Sequence, residues 1–154
     1  MQLSEIYVGL GEESFRQLLR TVSIGKLKTY QLYDRVKTRM HLNKVNSENL
    51  RKGAPRFWSR VQEGDEEFAS DLAQAILVSH LPMIVDVLNF LEIPHDDGFF
   101  AKDLDASQYL KDGWQERVFE QFRSTYPEAA LAFYLNHLAW ELTEAPAVFV
   151  PQTA

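Results

Sequence analysis

Three polar side chains near the carboxyl end have the types and spacing that chemistry needs. Tyr134, His137 and Glu141 are separated by three and four residues, which places them on one face of a helix. The surrounding stretch, from Glu128 to about Glu144, is otherwise apolar on most sides. Polar groups in such a setting need hydrogen-bond partners. An imidazole and a carboxylate at i, i+4 can ligate a metal ion, or the carboxylate can prepare the imidazole as a general base. The plainer reading is an internal network in which Tyr134 and Glu141 satisfy His137, or a polar face at the surface. A pair of ligands without a second pair elsewhere favours that plainer reading.

A second pair is available only if distant segments meet. Asp86 and Asn89 stand at i, i+3 in an apolar stretch, His80 lies six residues upstream of Asp86, and His95, Asp96 and Asp97 follow in a loop. Joined to His137 and Glu141, Asp86 and His95 would form a mixed imidazole and carboxylate set suited to zinc, iron or manganese. Asp96 and Asp97 read more simply as turn formers. No cofactor and no bound metal are expected.

The third constellation is basic. Lys28, Arg35 and Arg39 gather on one predicted helix, and Lys52, Arg56 and Arg60 on the next, with a short connector at Leu42 to Val45. Two helices joined in this way have the outline of a helix-turn-helix, in which cations meet phosphates. Pro55 falls in the would-be reading helix and spoils the match. The stripes read more simply as solvated faces. The fourth candidate is an interaction surface, at Phe99-Phe100 and at Ala147-Val148-Phe149-Val150 in the tail, where helical faces do not obviously claim the apolar residues.

Several chemistries find no support in the pattern. The chain has no G-x-G-x-x-G, no P-loop, no G-x-S-x-G and no H-E-x-x-H, so the phosphate cradles, the nucleophile elbow and the zinc-protease helix are missing. It has no cysteine, which excludes disulfides, a thiol nucleophile and thiolate zinc sites and fits a cytoplasmic address. The opening Met1 to Glu5 lacks a basic region followed by an apolar run, so no secretory signal is expected. The most apolar window, Leu72 to Leu91, is interrupted by Gln74, Ser79, His80, Pro82, Asp86 and Asn89. It reads as two core helices joined at Pro82 rather than as a membrane span.

The elements that must hold these residues are helical. Phe15, Leu18, Leu19 and Val22 give one apolar face, and Tyr30, Tyr33, Val36 and Met40 a second, on a helix from Lys28 to His41. Asn46 or Ser47 can cap a third helix carrying Leu50, Ala54, Phe57 and Val61, which Pro55 is expected to kink or interrupt. Acidic residues around Asp65 open a fourth, with Phe68, Leu72, Ala75 and Ile76 inward. Pro82 starts a buried helix to Leu91. Asp97-Gly98 marks a turn, and Asp103 or Asp105 caps a short helix. Trp114, Val118, Phe122 and Tyr126 define another face, Pro127 opens the last helix, and the tail from Ala145 to Ala154 is extended. Trp58, Trp114 and Trp140 are assigned to the core.

With 154 residues, 45% of them hydrophobic, the chain is expected to form one all-α domain over 1–154. The architecture is a single irregular or orthogonal bundle of about seven to eight helices with an extended C-terminal tail. Charge is divided unevenly. Residues 1–62 carry 12 Lys+Arg against 5 Asp+Glu, a net of +7, and residues 63–154 carry 4 against 17, a net of −13. A basic lobe and an acidic lobe attracting each other explain this, and overall acidity opposes nucleic-acid binding. The first functional expectation is therefore a non-catalytic protein-interaction or regulatory module, with a protein partner or a homo-oligomer and no membrane. Nucleic-acid binding through the basic half comes second, and a small enzyme or metal protein centred on His137 third.

Overall fold

The computed structural model describes residues 2–22, 47–100, 103–143 and 147–151. Among these residues the fold is all-α, a bundle of seven α-helices and one 3-10 turn without a strand. The helices are α1 (Leu3–Leu10), α2 (Glu12–Arg20), α3 (Ser47–Gln62), α4 (Glu66–Ser79), α5 (Leu81–Phe90), α6 (Trp114–Phe122) and α7 (Glu128–Leu142). The expected helix from Lys28 to His41 lies outside the described residues.

α7 is the axis of the assembly. Every residue from Ala129 to Ala139 is buried, because α1, α2 and α6 pack around it. A helix apolar nearly all round has no solvent face to prefer, so it takes the centre. Tyr7 of α1 stacks on Phe133 at 5.0 Å and meets Phe15 of α2 edge-on at 5.7 Å. Phe57 of α3 meets Phe68 of α4 at 5.5 Å. These rings belong to one hydrophobic cluster that reaches all seven helices.

Capping and loop chemistry set the turns. Asp65 caps α4 by accepting the Phe68 N–H at 3.0 Å, as the acidic start implies. The Glu66 carboxylate accepts the backbone N–H of Ser4, at 3.1 Å to one oxygen, and its hydroxyl at 2.7 Å. A side chain of α4 thereby satisfies the free amino end of α1. The axes of α4 and α5 are bent by 81° at His80, with Pro82 in the first turn of α5. The apolar window from Leu72 to Leu91 is thus two crossed helices. Among the described residues, no single helix is long and apolar enough to cross a membrane.

Some expectations need correction. α1 was not foreseen, although Leu3, Ile6, Tyr7 and Leu10 follow the i, i+3, i+4, i+7 spacing. α3 runs through Pro55 without interruption. Burial of Ala54, Phe57 and Val61 on either side holds both halves in the core and offsets a proline penalty of about 3 kcal/mol. Of the two caps expected for the short helix, Asp105 is the one that forms, on the 3-10 turn Ala106–Gln108 through the Ser107 N–H. Tyr126 lies beyond the end of α6. Trp114 is core and Trp58 packs against it, whereas Trp140 is 36% exposed at the last turn of α7.

The tail at 147–151 carries no helix and is held by one buried amide. Asn136 Nδ2 donates to the Phe149 carbonyl at 2.8 Å and to Ala132 O at 2.9 Å, while Asn136 Oδ1 accepts the Phe149 N–H at 2.7 Å. Phe149 packs on the core. Val148 fits over Gly9, where an added Cβ would stand 2.6 Å from Val148 Cγ2.

Candidate functional site

Tyr134, His137 and Glu141 line one cleft. α4 contributes Gln74, Leu77 and Val78, α5 contributes Ile84, and the loop after α5 contributes Gly98, Phe99 and Phe100. Gln74, Leu77 and Val78 are spaced three and one residues apart, so they form a narrow helix face opposite the one on α7. The cleft is open to solvent and its volume is about 340 Å³, within the range of pockets that hold small organic molecules.

The loop is shaped by its own hydrogen bonds. α5 ends with Glu92 in the left-handed region at φ 60° and with the Ile93 N–H bonded to Leu88 O at 2.9 Å, a turn that buries Ile93. A tight hairpin follows, in which Asp96 and Phe99 exchange N–H···O bonds of 2.7 and 3.0 Å. Its two central residues, Asp97 and Gly98, have φ of 51° and 94°, as a two-residue hairpin turn demands. His95 Nδ1 accepts the Gly98 N–H at 3.0 Å, so the ring proton sits on Nε2, 2.7 Å from Asn89 Oδ1. An added Cβ on Gly98 would stand 3.4 Å from Ile84 Cγ2, so the hairpin lies close against α5. Phe99 is left 71% exposed at the cleft mouth.

Behind the cleft wall two polar atoms are orphaned. The Tyr134 hydroxyl and His137 Nδ1 are buried without a hydrogen-bond partner, on side chains whose residues are 3% and 5% exposed. The nearest carboxylate oxygen of Glu141 is 3.7 Å from Nδ1, beyond hydrogen-bond reach. The expected closed network of Tyr134, His137 and Glu141 is therefore not formed. Burial pushes the His137 pKa down to about 4, and burial first, then the nearby Glu141 charge, raises that of Tyr134. At neutral pH the pair is an uncharged imidazole and a protonated phenol, flanked by the rings of Phe133 and Trp140 at 5.9 and 5.6 Å from His137.

Asp86 and His95 are committed elsewhere. The Tyr126 hydroxyl donates to the Asp86 carboxylate, and His95 serves the hairpin as described. Neither lines the cleft with His137, and no group of three His, Cys, Asp or Glu side chains suited to a metal ion occurs among the described residues. The loop that meets Tyr134 and His137 does so through Gly98, Phe99 and Phe100.

The basic stripes divide. Lys28, Arg35 and Arg39 lie outside the described residues, as does the side chain of Lys52. Arg56 is exposed on α3, and Arg60 is half-buried in an ion pair with Asp65 at 3.3 Å.

Roomier grooves of about 510 and 470 Å³ flank the tail, but none of their lining side chains buries an unsatisfied polar atom. Gln74, Leu77 and Val78 are the cleft residues that sequence reasoning missed. Their only signal is an amide beside two apolar residues at the edge of the core-facing stripe of α4. Comparison of the chain with protein-family models, curated proteins and solved structures finds no match.

Proposed function

We propose that this protein is a non-catalytic binding module that takes a small organic molecule in the cleft between α4, α5, α7 and the hairpin. The observation that carries the reading is the pair of orphaned atoms, Tyr134 Oη and His137 Nδ1, on residues three apart along the face of α7 that lines the cleft. A buried polar group without a partner costs about 1–3 kcal/mol, and a ligand that bonds to it recovers that cost. Proton chemistry is less well supported. A general base works best with a pKa near the operating pH, and His137 titrates at about 4 while the Tyr134 phenol is raised. A cytoplasmic address belongs to the same proposal, and the lack of cysteine fits it.

A fragment set tests the proposal by thermal melting and amide chemical shifts. Binders are expected to move the resonances of Gly98, Tyr134 and His137 and to raise Tm. Val78→Trp, which fills the cleft from α4, is expected to abolish both effects while leaving the helical circular dichroism intact. Binding that survives Val78→Trp undiminished would place the ligand elsewhere. A contact between two copies is the second reading, favoured by Phe99 at 71% and Leu81 at 37% exposure on either side of Gly98. It requires sedimentation to show a dimer that Phe99→Ser dissociates.

A further inference from the structure

We infer that the cleft selects an uncharged aromatic molecule bearing one carboxamide or hydroxyl group, with its ring between the hairpin and α4 and its polar group at Tyr134 and His137. This rests on the binding reading above and names the ligand class.

Shape and polarity divide the cleft into two ends. Phe99 and Phe100 of the hairpin, Ile84 of α5 and Leu77 and Val78 of α4 line the apolar part. Flat aromatic faces favour stacked or edge-on rings over flexible chains. The volume of about 340 Å³ admits a compact molecule of one or two rings. The polar end is the orphaned pair. A phenol hydroxyl both donates and accepts, and a neutral imidazole nitrogen does one or the other according to its tautomer. A carboxamide or hydroxyl, which also donates and accepts, can pair with either arrangement.

Charged ligands fit less well. No Lys or Arg lines the cleft among the described residues, and its one ionised lining group is the Glu141 carboxylate at the rim. A carboxylate or phosphate would enter against that charge and reach an imidazole that burial keeps neutral. An ammonium would meet Glu141 at the rim, where the carboxylate already faces the His137 ring at 3.7 Å. Carried inward, it would lose its hydration to two neutral partners, and burying an uncompensated charge is expensive.

The test uses the full chain, ¹⁵N-labelled, titrated at pH 7 with benzamide, benzoate and benzylammonium, with toluene as the ring alone. Benzamide is expected to shift the Gly98, Tyr134 and His137 amides saturably, with a Kd at least about tenfold below those of the two ions. Tyr134→Phe is expected to weaken benzamide by about fivefold and to leave toluene unchanged, a split that simple damage to the cleft would not produce. If either ion binds within tenfold of benzamide at those same amides, the ligand class is wrong and the cleft remains a binding site. If none of the four probes moves those amides, both the class and the binding reading fall.

Discussion

His137 ties the cleft to a measurable dependence of stability on pH. In the unfolded chain its imidazole has the ordinary pKa of about 6.5, and in the folded protein burial lowers it to about 4. Below pH 6.5 the unfolded state binds a proton that the folded state does not, so stability falls as pH falls. The loss begins near 6.5, is steepest between 6 and 4.5, and is complete below about 4. At about 1.4 kcal/mol per tenfold difference in proton affinity, the whole contribution is about 3 kcal/mol. The side chain is only 7% exposed, so solvent screening removes little of this. The assay is urea unfolding of the wild type and of His137→Phe at intervals from pH 7.5 to 4. His80, whose pKa burial also lowers, and the carboxylates other than Glu141, which faces the His137 ring, are common to both proteins and cancel in the difference. The wild type is expected to lose about 3 kcal/mol relative to the variant across that range. Parallel curves, within about 0.5 kcal/mol, would refute the assignment of a buried, neutral imidazole.

Three further outcomes are expected. Asn136→Ala removes the amide that holds Phe149; stability should fall by about 1–2 kcal/mol, and limited proteolysis should remove the tail while sparing the helices. Gly9→Ala places a methyl against Val148, so it should be neutral or destabilising in the wild type. In a Val148→Gly background the same change should stabilise by about 1 kcal/mol through helix propensity, and a double-mutant cycle measures the difference. His95→Ala deprives the Gly98 N–H of its acceptor; its amide exchange should quicken by about fivefold, the equivalent of one ordinary hydrogen bond, with little change in Tm.

Most helices could be read from the sequence because each shows its buried face as a period. The Phe15, Leu18 and Leu19 stripe, the Phe68 to Ile76 stripe and the polar triplet on α7 all depend on residues three or four apart. α1 has the period too, but eight residues with Gly9 near the end and Gly11 beyond it make a poor isolated helix. What holds it is tertiary, namely Tyr7 on Phe133 and Glu66 at Ser4. Pro55 likewise shows local propensity overridden by packing. The cleft was half visible. The spacing of Tyr134, His137 and Glu141 places them together, but their facing partners come from α4 and from a hairpin some 40 residues upstream. Such contacts depend on the 81° bend at His80 and on the left-handed turn at Glu92, and neither leaves a periodic signal. The Asn136 clamp on Phe149 was equally hidden, since one asparagine in an apolar helix does not announce its partner.

The most direct measurement is the ¹⁵N spectrum of the histidine side chains in the full protein at pH 7, with and without saturating benzamide. Binding at the orphaned pair is expected to move the Nδ1 resonance of His137 and to leave His95, whose nitrogens are engaged by Gly98 of the hairpin and Asn89 of α5, where it was. An unchanged His137 Nδ1 in the presence of a bound probe would contradict the central claim that this buried pair is what the cleft presents to its ligand.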